Sequence, residues 1–308
     1  MVGNWIETAW PWLVLLLVAA FILQCALREP YNLEITQTVL TAPGSVMAPG
    51  QQNPKQPAGF DEPAASLEAP SPERAGLRVV LLTDLHAEWL RISPSRLRAA
   101  LMALDFDCLL FGGDLTGRHH RPSKAAPWLA VLKDVLATRQ VSGYAVVGNH
   151  DSAASLDLLR QAGFQILQNS SACITDRQQV NWQLLGLDIL KKGQPDFATA
   201  LAGQPGQWVP AAQRIVLAHN PDTIFQVPAG AAGFFLAGHF HGGQIYMPFH
   251  LEFFLLRREK VGRMGYHKGA FAFMGLACYI SRGLGSVLFP LRLGSRPEIA
   301  LLHIMPAA

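Results

Sequence analysis

Five short stretches of this chain end in side chains that bind metal ions or move protons. They are Asp84 and His86 in "TDLH", Asp114 in "GGD", Asn149, His150 and Asp151 in "GNHD", His219 in "LAHN", and His239 and His241 in "AGHFHGG". Carboxylate, amide oxygen and imidazole form a donor set of intermediate hardness that suits Mn²⁺, Fe²⁺ or Zn²⁺. An all-oxygen shell would suit Mg²⁺ or Ca²⁺, and thiolates a structural zinc. Seven donors, Asp84, His86, Asp114, Asn149, His219, His239 and His241, are too many for one four-coordinate ion, whereas two ions about 3.5 to 4 Å apart sharing a carboxylate would use them all. The chemistry of such a pair is hydrolysis. Taken singly, each stretch has a plainer explanation, because a lone Asp after a strand is usually a turn former or helix cap. Coincidence decides the matter: five of the ten histidines fall in these stretches.

Bringing the donors together requires elements that deliver them to one edge. Each stretch follows an apolar run, "LRVVLL", "DCLLF", "YAVV", "RIVL" or "GFFLA", that reads as a buried strand. Residues 95–105 place Leu97, Ala100, Leu101 and Leu104 on one helical face, and residues 128–139 do the same with Leu129, Leu132, Val135 and Leu136. Strands alternating with helices predict an α/β domain, whose ligands bind outside the carboxyl ends of the strands. Gly238 and Gly242 would let backbone approach the metals.

The rest of the chain sets the surroundings. Residues 1–30 are expected to form a membrane anchor: from Ala9 to Leu27 no side chain is charged, and at about 1.5 Å per residue the run matches a hydrocarbon core of about 30 Å. Trp5, Trp10 and Trp12 suit an interfacial belt and Arg28 closes the far end. A cleaved signal peptide is the rival, but no Lys or Arg precedes the run. Arg28 leans toward a catalytic portion on the cytoplasmic side, and the expected location is a single pass through the inner (cytoplasmic) membrane. Residues 31–41, with alternating β-branched and polar side chains, read as the first strand of the catalytic domain. Residues 42–76, rich in Pro, Ala, Gly, Gln and Ser, read as a flexible linker or insertion, and residues 77–308 as the catalytic domain. A net charge of +3 without a Lys/Arg block predicts no nucleic-acid partner, and Cys25, Cys108, Cys173 and Cys278 form no Cys-x-x-Cys pair, which excludes a zinc knuckle or redox motif.

"DLH", "GGD", "GNHD", His219 and "GHFH" resemble, in order and spacing, the motifs of the calcineurin-like metallophosphoesterase superfamily. The tail, "GHFHGGQIYMPF", "YISRGLG" and "RPEIALLHI", is similar to the membrane-anchored bacterial YaeI/YkuE-like branch and, more distantly, to UDP-2,3-diacylglucosamine pyrophosphatases. The resemblance implies a four-layer α/β/β/α sandwich of two mixed β-sheets. It also implies that Asp84, His86 and His241 hold one metal, that Asn149, His219 and His239 hold the other, and that Asp114 bridges them. His150 would be the general acid that protonates the leaving oxygen after attack by metal-bridged hydroxide. One departure from the family pattern is Gly117, where phosphoprotein phosphatases place the Asp that orients this histidine; Asp151 is the candidate replacement, and a phosphoprotein substrate is disfavoured.

The expected activity is that of a membrane-anchored phosphohydrolase with two divalent ions, Mn²⁺ first and Zn²⁺ or Fe²⁺ next. It would cleave a phosphodiester or pyrophosphate bond in a lipid-linked or nucleotide-sugar substrate. The alternatives are a phosphodiesterase or phosphomonoesterase acting on soluble substrates, and a non-catalytic, membrane-tethered metal-binding protein. Arg282 is either a phosphate contact or a structural Arg in its Gly-rich turn. Arg118, a second candidate phosphate contact, with His119 and His120 either lines the cleft or belongs to an exposed polar loop, and residues 249–263 either rest on anionic lipid or pack on the core.

Overall fold

The computed structural model describes residues 3–43, 76–117, 121–203 and 209–306, with side chains from Trp10 onward. The first helix, α1 (Gly3–Arg28), begins six residues before the uncharged run. The 22 residues Trp10–Tyr31 are long and apolar enough to cross a membrane. Trp12, Leu16 and Phe21 are exposed, so the protein itself leaves this helix uncovered. The next element differs from expectation: Pro30 sets a single 3-10 turn over Glu29–Tyr31, which delays strand β1 to Glu34–Thr41. The expected linker lies outside the described residues except for its ends.

Beyond it run β2 (Leu77–Leu82), α2 (Pro94–Ala103), β3 (Cys108–Phe111), α3 (Ala126–Arg139), β4 (Ser142–Ala145), α4 (Ala153–Gln161) and β5 (Phe164–Ile166). They are followed by β6 (Ser170–Thr175), β7 (Asn181–Gly186), α5 (Phe197–Ala202), β8 (Arg214–Leu217) and β9 (Phe234–Ala237). The chain then forms α6 (Leu251–Leu255), α7 (Lys260–Arg263), β10 (Gly269–Phe273), β11 (Leu276–Ile280) and β12 (Glu298–Met305). Two six-stranded sheets result, ordered β1-β12-β2-β3-β4-β5 and β10-β11-β9-β8-β7-β6. Both are mixed: β2, β3, β4 and β5 run parallel while β12 is antiparallel to β2, and β7, β8, β9 and β11 run parallel while β6 and β10 are antiparallel edges.

The apolar runs became central strands because both their faces are covered. One core fills the space between the sheets, with Leu81, Leu110, Trp182 and Phe234 among its members. A second packs the first sheet against its helices, where Leu97 and Leu101 of α2 and Leu129, Leu132, Val135 and Leu136 of α3 are buried as their spacing predicts. A third backs the second sheet, around Phe235, Phe240 and Phe253. This is the expected four-layer α/β/β/α sandwich. Ser93 caps α2 by accepting a hydrogen bond from the Arg96 amide at 3.2 Å.

Candidate dinuclear metal centre

The carboxyl ends of β2, β3 and β4 in one sheet and of β8 and β9 in the other open on the same edge, and all seven donor residues meet there. His86 Nε2 lies 3.2 Å from His241 Nε2. Asp84 Oδ1 is 3.4 Å from His241 Nε2 and 3.9 Å from His86 Nε2. On the other side, His219 Nε2 lies 2.9 Å from Asn149 Oδ1 and 3.1 Å from His239 Nδ1. Between the two groups sits one oxygen, Asp114 Oδ2, 3.6 Å from His86 Nε2 and 3.3 Å from His219 Nε2.

Partners outside the cage select which ring nitrogen of each histidine faces inward. His86 Nδ1 donates to the Thr116 carbonyl at 3.1 Å, His219 Nδ1 to the Gly112 carbonyl at 2.8 Å, and His241 Nδ1 to the Gly285 carbonyl at 3.1 Å. His239 is turned the other way, with Nε2 facing Glu259 Oε1 at 3.4 Å. The remaining four nitrogens face one another and carboxylate oxygens at 3.1 to 3.9 Å, a polar cluster that needs protons or metal cations between its members. Asp84 points the same way. Its Oδ2 accepts from the His239 amide at 2.9 Å, but Oδ1 is buried and has no hydrogen-bond partner among the described residues. Two sets of three, Asp84–His86–His241 and Asp84–Asp114–His219, have ligand atoms close enough for one ion each. Residues and cations thus fit in number, hardness and direction.

Backbone strain accompanies this convergence. Asp84, His86, Asp114, His239 and His241 all have positive φ, between 40° and 70°, in the left-handed region that non-glycine residues avoid at a cost of about 1–3 kcal/mol each. Two glycines allow the crowding. A Cβ on Gly148 would stand 2.2 Å from Asp114 Oδ1, and one on Gly238 would stand 2.5 Å from Asp84 Oδ2. Gly242 differs from expectation: its φ is +57° and its added Cβ would meet Ser295 Oγ at 2.6 Å, so it serves the packing behind the cage.

The two donor groups differ in access. Asp84, His86 and His241 are sealed, whereas Asn149, His150 and His239 are half-buried. The latter three line a cavity of about 350 Å³ together with Lys191, Lys192 and His219. Charge follows burial. Desolvation and neighbouring His86 hold the His241 pKa well below the usual imidazole value. Burial also opposes a charge on His219, but the Asp114 carboxylate outweighs it and raises the pKa to about 10; a divalent cation would take the place of that proton. His150, whose ring centroid is 5.5 Å from that of His86, has its pKa lowered to about 4, mainly by burial.

Asp151 sits elsewhere than its expected role would require. Its carboxylate accepts hydrogen bonds from the backbone amides of Asp114, Leu115 and Gly148, each at 2.9 Å, and so clamps the β3 and β4 loops together. Gly117, in the position of the family's orienting acid, donates its amide to Glu88 Oε2 at 2.6 Å. Arg282 is likewise engaged: its guanidinium binds Glu298 Oε1 at 3.0 Å and Glu34 Oε2 at 3.1 Å, which ties the Gly-rich turn to β12 and β1. A phosphate contact is not what holds it there. Arg118, His119 and His120 lie outside the described residues.

Sequence reasoning missed four participants. Lys191 and Lys192 follow β7 just as the donors follow their own strands, and that position was their signal. Glu259 binds both His239 and, at 3.1 Å, Lys191. Arg292, fully buried, donates to the carbonyls of Arg282 (3.0 Å), Gly283 (3.2 Å) and Gly285 behind His241. No local pattern marks either of these last two.

A model of the family described as calcineurin-like phosphoesterase matches residues 77–243, which hold all seven donors. The uncharacterized metallophosphoesterase YkoQ of Bacillus subtilis is 30% identical over 239 residues, 76% of this chain and 85% of its own. Phosphodiesterase YaeI of Escherichia coli is 31% identical over 246 residues, 75% of this chain and 83% of its own. UDP-2,3-diacylglucosamine pyrophosphatase LpxG of Chlamydia trachomatis is 30% identical over 154 residues, 49% of this chain and 44% of its own.

Proposed function

The chain belongs to the calcineurin-like phosphoesterase family of metal-dependent phosphoester hydrolases, and on that premise we propose that it cleaves a phosphodiester or pyrophosphate bond at a membrane surface, in a lipid-linked or nucleotide-sugar substrate. In this reading Asp84, His86 and His241 would hold one divalent ion, Asn149, His219 and His239 would hold the other, and Asp114 would be shared between them. The observation that carries it is the convergence of seven donors from five strand ends, with the inward nitrogens of His86, His219, His239 and His241 lying 3.1 to 3.9 Å from one another or from Asp84 and Asp114 oxygens. Mn²⁺ is the first candidate metal, Zn²⁺ and Fe²⁺ the next. Bound there, such ions lower the pKa of water and neutralise charge on phosphoryl oxygens.

The chain's own residues do the rest. Lys191 and Lys192 draw a phosphate into the cavity, and Lys192 also donates to the Asn149 carbonyl at 2.7 Å, which steadies the loop that carries His150. His150 stands at the cavity wall with its amide held by Asp114 Oδ1 at 2.7 Å; a bound phosphate would favour the protonated ring that burial otherwise opposes, and that form could give a proton to the leaving oxygen. The exposed apolar helix α1 supports the membrane setting. A single pass through the inner membrane, with the catalytic portion on the cytoplasmic side, is part of the proposal and rests only on Arg28 at the end of the apolar run. The phosphodiesterase and the diacylglucosamine pyrophosphatase among the relatives support the bond type, although the chain spans under half of the latter.

The test is turnover of a soluble diester, a soluble monoester and UDP-diacylglucosamine in mixed micelles, with Mn²⁺, Zn²⁺ or Fe²⁺. The amphiphile should show the highest kcat/KM. Turnover of the soluble esters alone would leave the hydrolase standing and remove the lipid-linked substrate. His150→Ala should lower kcat by about 10²–10⁴-fold with metal content retained; loss of the metals instead would place His150 in the cage.

A further inference from the structure

Residues 244–263 leave the cage and build a platform with two unlike faces. On its inner face, Phe253 stacks on His267 at 3.8 Å between centroids and meets Phe240 edge-on at 5.5 Å. Glu252, also buried, accepts from the Met247 amide at 3.0 Å and pairs with His250 at 3.2 Å. Arg257 lies over the Phe240 ring and donates to the Phe240 carbonyl at 3.2 Å. The outer face is apolar and in contact with solvent: Phe249 is 87% exposed, Leu255 71% and Leu256 72%, with Leu251 and Phe254 beside them. Phe249 and His250 both adopt positive φ, 58° and 55°, so the backbone is strained at the point that presents its most exposed aromatic ring.

This face continues toward α1. Gln244 joins the platform to the following loop through Val287, donating to its carbonyl at 2.9 Å and accepting from its amide at 2.7 Å. The same loop presents Leu288 and Phe289, both exposed. Its far end grips the base of the helix, where the Arg292 amide donates to the Ala26 carbonyl at 3.0 Å and the Gly294 amide to Glu29 at 3.0 Å. The exposed charges within residues 249–263 are all basic, Arg258, Lys260 and Arg263, while both acids of that stretch are buried.

We propose that this platform is an interfacial seat: the apolar face of residues 249–256, with Leu288 and Phe289, sinks into the same leaflet that α1 enters, and its basic rim meets anionic headgroups. The seat rests on the reading of α1 as a membrane span. An apolar patch of this size, rimmed by one sign of charge and continuous with the foot of that helix, matches the boundary between acyl chains and headgroups. Because Glu259 ties the same segment to His239 and Lys191, the seat brings the cavity mouth next to the lipid surface. A lipid-linked phosphate would then reach the cage without leaving its leaflet.

The test uses the full chain reconstituted in phosphatidylcholine vesicles, with and without phosphatidylglycerol, in a background of Cys25→Ser and Cys173→Ser. Single fluorophores are placed through Leu255→Cys, Phe289→Cys, Leu16→Cys on α1 and Asp157→Cys on α4. Lipids with a nitroxide high in the acyl chain should remove about half or more of the emission at 255 and 289. A nitroxide deep in the chain should quench 16 more than either, and 157 should stay bright. Phosphatidylglycerol should strengthen quenching at 255. If 16 is quenched while 255 and 289 match 157, the seat falls and the anchor stands. If 16 is not quenched, the anchor reading fails and takes the seat with it. A probe at 255 shielded from aqueous iodide yet untouched by nitroxide lipid would mean that a protein surface, such as a second copy, covers the face, which also overturns the proposal.

Discussion

Asp84, His86, Asp114, His239 and His241 hold left-handed backbone, and so do Phe249 and His250, eight or more residues past the last cage donor. At the cage floor this conformation turns polar donors inward, to a place where water cannot compensate them. On the platform it turns an aromatic ring outward, to a place where water opposes it. Neither placement is what a chain folding in water alone favours. Such strain persists only where surrounding packing over-determines it, and it clusters where something outside the chain completes the arrangement. For the floor that completion would be a pair of cations, and for the platform, on the proposal above, a lipid surface. The comparison makes the two regions separable: damage to one should leave the other standing, except where a residue belongs to both.

The largest effect should come from Asp114→Asn. The amide can keep the hydrogen bond that Oδ1 accepts from the His150 backbone, but it places an NH₂ or a neutral oxygen where Oδ2 now faces both His86 and His219. Turnover should fall about 10³-fold or more, equivalent to about 4 kcal/mol of barrier, with bound metal measured by elemental analysis falling too. Quenching at Leu255 should not change. A variant that lost both the metals and the lipid contact would show that the regions are one cooperative unit.

How far each region could be read from sequence follows the same division. Asp84, Asp114, Asn149, His219 and His239 were legible because each follows a continuous apolar strand, and because imidazoles at strand ends are rare enough to stand out. The sandwich was legible for a related reason, since strands buried on both faces leave runs such as "LRVVLL" that need no partner to recognise. The platform was not. In "FHLEFFLLRREK" the inward Phe253 and the outward Phe254 look alike, and a five-residue helix is too short to establish a period. The choice is made by His267 and Phe240, which are distant in sequence. For Arg282 the sequence left a phosphate contact and a structural role open, because its carboxylate partners, Glu34 and Glu298, are 248 and 16 residues away. Asp151 is adjacent to His150 in sequence yet clamps backbone amides instead, because a carboxylate surrounded by three amide donors satisfies them better than it would one ring.

Glu259 belongs to both regions and gives the next effect in size. Its carboxylate turns His239 so that Nδ1 faces the cage, and its pKa is held far below the usual carboxylate range, first by the hydrogen bond from His239. Removing a carboxylate that orients a ligating histidine commonly costs about 10- to 100-fold in metal affinity or activity. Glu259→Ala should therefore weaken Mn²⁺ binding by that order, and Glu259→Gln by less, since its amide oxygen can still accept from Nε2. A purely structural carboxylate would lower the melting temperature and leave the Mn²⁺ Kd unchanged. An equal loss in Ala and Gln would assign the effect to the charge pairing with Lys191.

The smallest effect concerns the platform alone. His267 is buried against Phe253, with Nε2 donating to the Gly262 carbonyl at 2.8 Å and with His250, Glu252 and Lys268 around it. Burial, assisted by the neighbouring His250, lowers its pKa from 6.5 to about 4. Above pH 6.5 the ring is neutral whether the chain is folded or not, and its packing contributes in full. Between 6.5 and about 4 the unfolded chain takes up a proton that the folded one refuses, so stability falls with falling pH, at a limiting slope of about 1.4 kcal/mol per pH unit for one proton. His267→Gln removes that proton from the balance. Thermal melts of the two proteins should keep a constant offset above pH 6.5 and converge between 6.5 and 4. Parallel curves across the whole range would mean that His267 titrates alike in both states and that its stack on Phe253 does not exclude the charged ring.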